Sequence, residues 1–195
     1  MYLNMYSLYI ILIIIIITII IHVYTKKNDI VTSIDRPFVQ GEIQWAKKYN
    51  KKIITIVEND KWRPCYFDFN RAKQKYKNTE FNFLFDIEPI EYKRESGEAR
   101  HMVNMILSRA HGAPNIIPFT NSLNDIHTWD FFLSHHQVMG GDQTKTLHLL
   151  LENLGKSTWY DKSMVDRRDH AQEEGVHNSK YFILFLTGTP PIYDQ

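Results

Sequence analysis

The residues best suited to chemistry are spread along the chain in patterns that exclude several common kinds of site. The nine histidines include no HExxH motif, so their spacing does not favour a metal centre. The segment GKST at 155–158 is similar to the end of a phosphate-binding loop, but Leu150 stands where that loop requires its first glycine. The single cysteine, Cys65, cannot form an intramolecular disulfide, and no CxxC pair offers zinc ligands. We therefore expect neither a metal nor a bound cofactor.

The composition is that of a globular protein with almost no net charge. The 195 residues include 23 Lys and Arg against 22 Asp and Glu, and 44% of them are hydrophobic. About 170 residues follow the apolar N-terminus, which is enough for one α/β domain or for two small units. A net charge of +1 removes the electrostatic argument for nucleic-acid binding, so we expect no nucleic-acid partner.

The N-terminal segment 1–27 is the most apolar part of the chain. Residues 5–24 carry no charge and are long enough, at about twenty residues, to cross a membrane as a helix. A Lys-Lys pair at 26–27 follows, so the positive-inside rule predicts that the rest of the chain lies in the cytoplasm. The near-pure isoleucine run is also what a translated AT-rich repeat looks like. Two interpretations stay open, a single-span membrane anchor and a spurious start.

Hydrophobic periodicity predicts strands that alternate with helices along the rest of the chain. Short runs such as IITIV and YFILFL are typical of buried parallel strands, and the alternation favours an α/β fold. GGD at 140–142 indicates a turn before a helix. The predicted helices are 38–48, 70–76, 100–110, 144–154 and 170–178, and the predicted strands are 53–57, 87–92, 129–134, 158–161 and 181–186.

Several boxes of this sequence resemble the Toll/interleukin-1 receptor (TIR) homology domain. WDFFLSHH, an amphipathic helix, TWYD with a polar loop, and EEGVHNSKYFILFLT resemble its first half, over residues 128–187. DRPFVQGEIQWAKKYNKKIITIVEND, IEPIEYKRE and HMVNMILSRA resemble its second half, over residues 31–110. The match therefore covers nearly all of residues 31–187, with the two halves in swapped order.

The resemblance implies a flavodoxin-like fold, a five-stranded parallel sheet with helices on both faces and the order 2-1-3-4-5 in the family's strand numbering. The ligand crevice of such a sheet lies at the carboxyl ends of its strands. A circularly permuted domain would join the second half (28–111) to the first half (128–187) through a linker at 112–127, with a tail at 188–195. The alternative is the seam between two tandem domains, each cut in half. Neither half alone can bury both faces of the sheet.

The resemblance also implies functions of two classes. The common property of the family is homotypic association, which predicts a signalling or scaffold module that binds other TIR domains and forms a homo-oligomer. Enzymatic members cleave the bond between nicotinamide and ribose, which predicts an NAD⁺ nucleosidase with NAD as its substrate. A third interpretation is a non-autonomous fragment of a longer tandem protein.

Glu42 is the candidate catalytic residue, because in FVQGEI it takes the position of the glutamate that enzymatic members use. The chemistry resembles glycoside hydrolysis, in which a carboxylate stabilises a developing oxocarbenium ion. The alternative is a solvated glutamate near a helix start, which the helix dipole favours. Many non-catalytic members also keep a Glu-Ile pair at this place.

The remaining candidate binding residues lie in the same boxes. Phe38 stands where the family often has tryptophan, and Trp45 follows the glutamate by about one helical turn. After Ser134, enzymatic members often place an aromatic and a basic residue, where this chain has His135 and His136. The two histidines could stack on adenine or contact phosphate, or they could simply face solvent.

Overall fold

The computed structural model describes residues 14–17, 31–110, 128–164 and 167–188. Residues 14–17 form one helical turn with exposed side chains. The rest of the predicted span at 5–24 lies outside the described residues, as do the linker at 112–127 and most of the 188–195 tail. Within the described part of the chain, no helix is both long and apolar enough to cross a membrane.

Helices alternate with strands through the described residues from 31 to 188. The helices are α1 (Pro37–Lys48), α2 (Phe69–Tyr76), α3 (Ser96–Ala110), α4 (Gln137–Glu152) and α5 (Asp169–Asn178). The strands are β1 (Lys52–Val57), β2 (Ile90–Glu91), β3 (Trp129–Ser134), β4 (Thr158–Trp159) and β5 (Ser179–Leu186). Short 3₁₀ turns are formed by Ser33–Asp35, Asn82–Asp86 and Asp161–Ser163.

These five strands form one parallel sheet with the order β2-β1-β5-β3-β4. This is the order that the resemblance implies if β3, β4, β5, β1 and β2 are taken, in that sequence, as the first to fifth strands of the family. The two segments of the chain meet where β1 pairs with β5 and Ile54 is aligned with Ile183. The α/β, flavodoxin-like fold predicted from the sequence is confirmed.

One face of the sheet packs against α3 and α4. Phe131, Ile183 and Ile54 lie on this face and share a buried cluster with Ile106 of α3 and Leu147 of α4. Burial of these side chains removes apolar surface from water, which is the main favourable contribution to folding. The strands are apolar along nearly their whole length because helices cover both faces of the sheet.

Aromatic rings occupy the opposite face. Phe132 stacks on Trp159, with 4.6 Å between ring centroids, and on Phe182, with 5.5 Å between centroids. Helix α5 approaches this layer so closely that a Cβ added to Gly175 would stand 2.5 Å from Nε1 of Trp159. Helix α1 packs beside α5, so the helix that carries Glu42 belongs to this layer.

The structure corrects three local predictions. The turn predicted at 140–142 is wrong, because these residues lie inside α4, which begins at Gln137. A Cβ on Gly140 would make ordinary van der Waals contact, at 3.5 Å from Cβ of His135, so the packing of α4 accommodates this position without requiring glycine. Strands β2 and β4 are each two residues long, shorter than predicted. Both are edge strands with one neighbour to pair with.

Candidate functional site

A cavity of about 470 Å³ opens at the carboxyl ends of β3 and β4. Its walls are the start of α1, the turn from β3 into α4, and the segment that follows β4. Parallel α/β sheets bind their ligands at this edge. The volume is in the range of sites for small molecules and cofactors.

Glu42 lies in the cavity wall with only 4% of its surface exposed. The hydroxyl of Ser134, the last residue of β3, donates a hydrogen bond to its Oε2 atom. Burial raises the pKa of Glu42 to about 8; the hydrogen bond from Ser134 opposes this rise, and the negative charge of Asp161 adds to it. Among the described residues, no lysine or arginine forms an ion pair with Glu42. The glutamate is therefore buried, and the solvated alternative is wrong.

Asp161 is a second buried carboxylate in the same cavity. Gln137 donates from Nε2 to Oδ2 at 2.6 Å, and the backbone N–H of Lys162 donates to Oδ1 at 2.7 Å. His135 Nε2 lies 4.0 Å from Oδ1. These donors fix the carboxylate at the point where β4 ends and a 3₁₀ turn begins.

The two histidines after β3 have different surroundings. His135 is 7% exposed, and its Nδ1 lies 3.4 Å from the carbonyl oxygen of Leu133. Burial lowers the pKa of His135, so its imidazole is neutral at pH 7. His136 is half-buried, and burial together with the charge of Arg36 lowers its pKa as well. The interpretation that both histidines face solvent is therefore wrong for His135.

Aromatic side chains border the cavity at two levels. Trp159 is buried, stacked on Phe132, and contributes to the wall. Phe38 lines the cavity while 43% of its surface is exposed, so it stands at the rim. Trp45 lies on α1, as Phe38 does, but it is half-buried and is not part of the cavity lining.

Positive groups also face the cavity. Arg36 and Arg167 both line it. Arg167 is oriented by hydrogen bonds that its side chain donates to the backbone carbonyls of Met164, at 3.2 Å, and Lys162, at 3.4 Å. Helix α4 begins at Gln137 on the same wall, and helix N-termini attract anions. Two arginines and a helix N-terminus thus share this cavity with the carboxyl groups of Glu42 and Asp161.

The fold brings most of the predicted site residues together from two distant segments. Glu42 and Ser134 are 92 positions apart in the sequence and share a hydrogen bond. Sequence reasoning missed Asp161 and Gln172, although TWYD places an aspartate at a strand end, and such ends converge at one edge. The predicted residues that line the cavity or bond within it are Phe38, Glu42, Ser134, His135 and His136.

A second cavity, of about 680 Å³, lies at the same edge on the side of β1 and β2. Near it, Glu58 follows β1 with 1% of its surface exposed. Arg94 lines this cavity and binds Glu58 through both terminal nitrogens, with Nη1 donating to Oε1 at 3.3 Å and Nη2 donating to Oε2. The backbone N–H of Asp60 also donates to Oε1, at 3.1 Å. The charge of Glu58 is therefore compensated within the protein.

No group of three His, Cys, Asp or Glu side chains in the described ranges is arranged to hold a metal ion. Comparisons of the chain with protein-family models, with curated proteins and with solved structures found no significant match. A proposal about function therefore rests on the geometry of the site and on the resemblance in sequence.

Proposed function

We propose that the cavity around Glu42 hydrolyses the bond between nicotinamide and ribose in NAD⁺. One observation carries the proposal. Glu42 is a carboxyl group buried at the carboxyl edge of the sheet, in a cavity of ligand size, and none of the described cations forms an ion pair with it. Leaving a buried carboxyl group without a counter-charge disfavours its ionised form, so such an arrangement is typical of functional sites.

The charge of the substrate would complete this arrangement. The nicotinamide ring of NAD⁺ is a cation, and its departure leaves positive charge on the ribose. A cation beside Glu42 favours the carboxylate form, because opposite charges stabilise each other strongly in a buried site. The carboxylate then stabilises the oxocarbenium-like transition state.

The other walls of the cavity suit the rest of a dinucleotide. Arg36, Arg167 and the N-terminus of α4 offer positive groups for phosphates. Phe38 at the rim presents an aromatic surface on which a planar base could stack. The order of the strands agrees with that of a permuted TIR domain, which supports the same assignment.

The test is nicotinamide release from NAD⁺ by the purified full chain. We expect Glu42→Gln to lower the rate by about 10²–10³-fold, the loss typical of removing one group that stabilises a transition state. Glu98→Gln, which changes an exposed glutamate on α3, is the matched control and should leave the rate unchanged. Equal rates for the wild type and Glu42→Gln would exclude this mechanism.

We also propose that the domain self-associates as a TIR-type scaffold. The observation that favours this second function is an apolar rim beside the cavity, where Val138 is 89% exposed and Phe38 is 43% exposed. Burying such side chains between two copies would remove apolar surface from water. Light scattering over a range of protein concentrations should show a rising mass that Val138→Asp abolishes. A monomer of constant mass at every concentration would contradict self-association.

A further inference from the structure

His135 and Asp161 lie close together in the wall of the cavity. The Nε2 atom of His135 and the Oδ1 atom of Asp161 are 4.0 Å apart, too far for a direct hydrogen bond. Both residues are buried and both line the cavity. The pair comes from the ends of two adjacent strands, β3 and β4, which pair in parallel.

The surroundings of His135 favour one position for its proton. A carbonyl oxygen can only accept a hydrogen bond, so the 3.4 Å contact between Nδ1 and the Leu133 carbonyl is a hydrogen bond in the tautomer that carries the proton on Nδ1. The Nε2 atom then carries a lone pair. It is buried and has no hydrogen-bond partner among the residues that the structure describes. Burial also lowers the pKa of His135, which keeps the imidazole neutral and able to accept a proton.

Asp161 presents the second acceptor. Gln137 and the backbone N–H of Lys162 hold its carboxylate through one oxygen each. A carboxylate oxygen has two lone pairs, so Oδ1 can accept a further hydrogen bond. Two acceptors separated by 4.0 Å match the two hydrogens of one water molecule, whose oxygen can lie about 2.8 Å from each of them.

We propose that His135 Nε2 and Asp161 Oδ1 hold the water molecule that attacks the ribose, and that His135 accepts its proton. This inference rests on the proposed nucleosidase function and adds the general base to it. Asp161 acts as the positioning residue, since its negative charge orients the water and stabilises the imidazolium that forms.

The step balances without any further reactant. The water oxygen forms a bond to C1′ of the ribose while one water O–H bond breaks, and that proton passes to His135 Nε2. The bond between C1′ and the nicotinamide nitrogen breaks, and its electron pair neutralises the pyridinium. The products are ADP-ribose and neutral nicotinamide, and the imidazolium later returns its proton to solvent.

The experiment compares hydrolysis with base exchange in the same reaction mixture. 3-Acetylpyridine can replace water as the nucleophile, and its neutral ring nitrogen attacks C1′ without losing a proton. We expect His135→Asn and Asp161→Asn to lower hydrolysis by about 10²-fold or more, the usual contribution of a general base, while the exchange rate stays within a few-fold of wild type. His101→Gln and Asp142→Asn change exposed residues that do not line this cavity, and both should leave hydrolysis and exchange unchanged.

A measurement on the wild type keeps the test independent of variant folding. Deprotonation of the attacking water predicts that the ratio of hydrolysis to exchange products falls in D₂O, because only the hydrolytic step moves a proton. A ratio equal in H₂O and D₂O, or a parallel loss of hydrolysis and exchange in variants that melt like the wild type, would overturn the roles of His135 and Asp161. A wild type that neither hydrolyses nor exchanges NAD⁺ would instead overturn the proposed function itself.

Discussion

Two buried glutamates stand at the carboxyl edge of the same sheet, and their charges are handled in different ways. Glu58, after β1, is 1% exposed and is bound by both terminal nitrogens of Arg94. Glu42, beside the end of β3, is 4% exposed and receives one hydrogen bond, from the Ser134 hydroxyl. Glu58 also accepts a backbone hydrogen bond from Asp60, so the two environments differ in the number of donors and, above all, in the presence of a cation.

This difference separates a carboxylate with a complete ion pair from the one that we propose to be functional. An ion pair that is already complete, such as that of Glu58 with Arg94, leaves little to be gained from a ligand. Burial without a counter-charge raises the pKa of Glu42 to about 8 and makes that side of the edge receptive to a cationic ligand. Burial of Glu42 thus lowers the stability of the fold. Under the proposed function, it leaves a carboxyl group that a cationic substrate ionises.

The largest predicted effect is on the pH dependence of stability. The pKa of Glu42 is about 8 in the folded protein and close to its ordinary value of 4.5 in the unfolded chain. Between these pH values the folded state holds a proton that the unfolded state has released, so stability is full below pH 4.5 and falls as pH rises to 8. The free energy of unfolding falls by about 5 kcal/mol over this pH range. Urea unfolding from pH 5 to 9 should show this fall in the wild type.

The matched variant isolates this contribution. Glu42→Gln has no proton to lose, while every other group titrates as in the wild type. The difference in unfolding free energy between the two proteins should therefore grow with pH and favour the variant above pH 7. A difference that does not change with pH would show that Glu42 has an ordinary pKa.

The second prediction concerns the ion pair between Glu58 and Arg94. Arg94→Met leaves Glu58 buried without its cation and should lower the free energy of unfolding by about 3 kcal/mol. This is the lower end of the range for breaking a buried pair, because 34% of the Arg94 side chain is exposed. Lys93→Met is the control: it removes an exposed pair with Glu91 and should change stability by less than about 1 kcal/mol. Equal losses of unfolding free energy in Arg94→Met and Lys93→Met would show that the charge of Glu58 does not depend on Arg94.

The third prediction concerns the packing behind the Glu42 cavity. Gly175→Ala would drive a Cβ into the Trp159 indole, and we expect a loss of about 2 kcal/mol in stability. Gly41→Ala is the matched change, in α1 with open space around its Cβ, and should raise stability by up to about 1 kcal/mol. Thermal melting measures both. Melting temperatures that shift in the same direction would show that α5 does not pack as tightly as the structure indicates.

The smallest predicted effect is at Ser134. Its hydroxyl is the group that lowers the pKa of Glu42, against the effect of burial. Ser134→Ala should therefore raise that pKa further, by about one unit, since such a hydrogen bond contributes about 1 kcal/mol. The pH profile of nicotinamide release should move to higher pH by the same amount. An unmoved profile would show that the hydrogen bond is absent in solution.

Local sequence patterns were enough to predict most helices and strands. The buried strand β5 and the amphipathic part of α4 follow from their apolar residues. The first turns of α4 could not be predicted in this way, because Gly140 and Gly141 favour a turn by their local preference. In the structure α4 extends through both glycines, so tertiary context overrides that preference.

The candidate site could be predicted in part. The position of Glu42 came from the resemblance in its box, but its burial depends on β1 from one segment pairing with β5 from the other. No local pattern reports such long-range pairing. For the same reason the meeting of His135 with Asp161 was not predicted, although His135 follows one predicted strand and Asp161 ends the next.

Our central claim is that Glu42 lacks a counter-charge until a cationic ligand binds. The pKa of its carboxyl group tests this claim most directly. Carbon NMR of ¹³C-labelled protein, with Glu42→Gln used to assign the signal, gives its pKa with and without 1-methylnicotinamide, a pyridinium cation that has neither phosphate nor ribose. We predict a pKa of about 8 in the free protein and a value at least about one unit lower with the ligand bound. A pKa near 4.5 in the free protein, or one that the ligand leaves unchanged, would contradict the claim that the substrate supplies the missing charge.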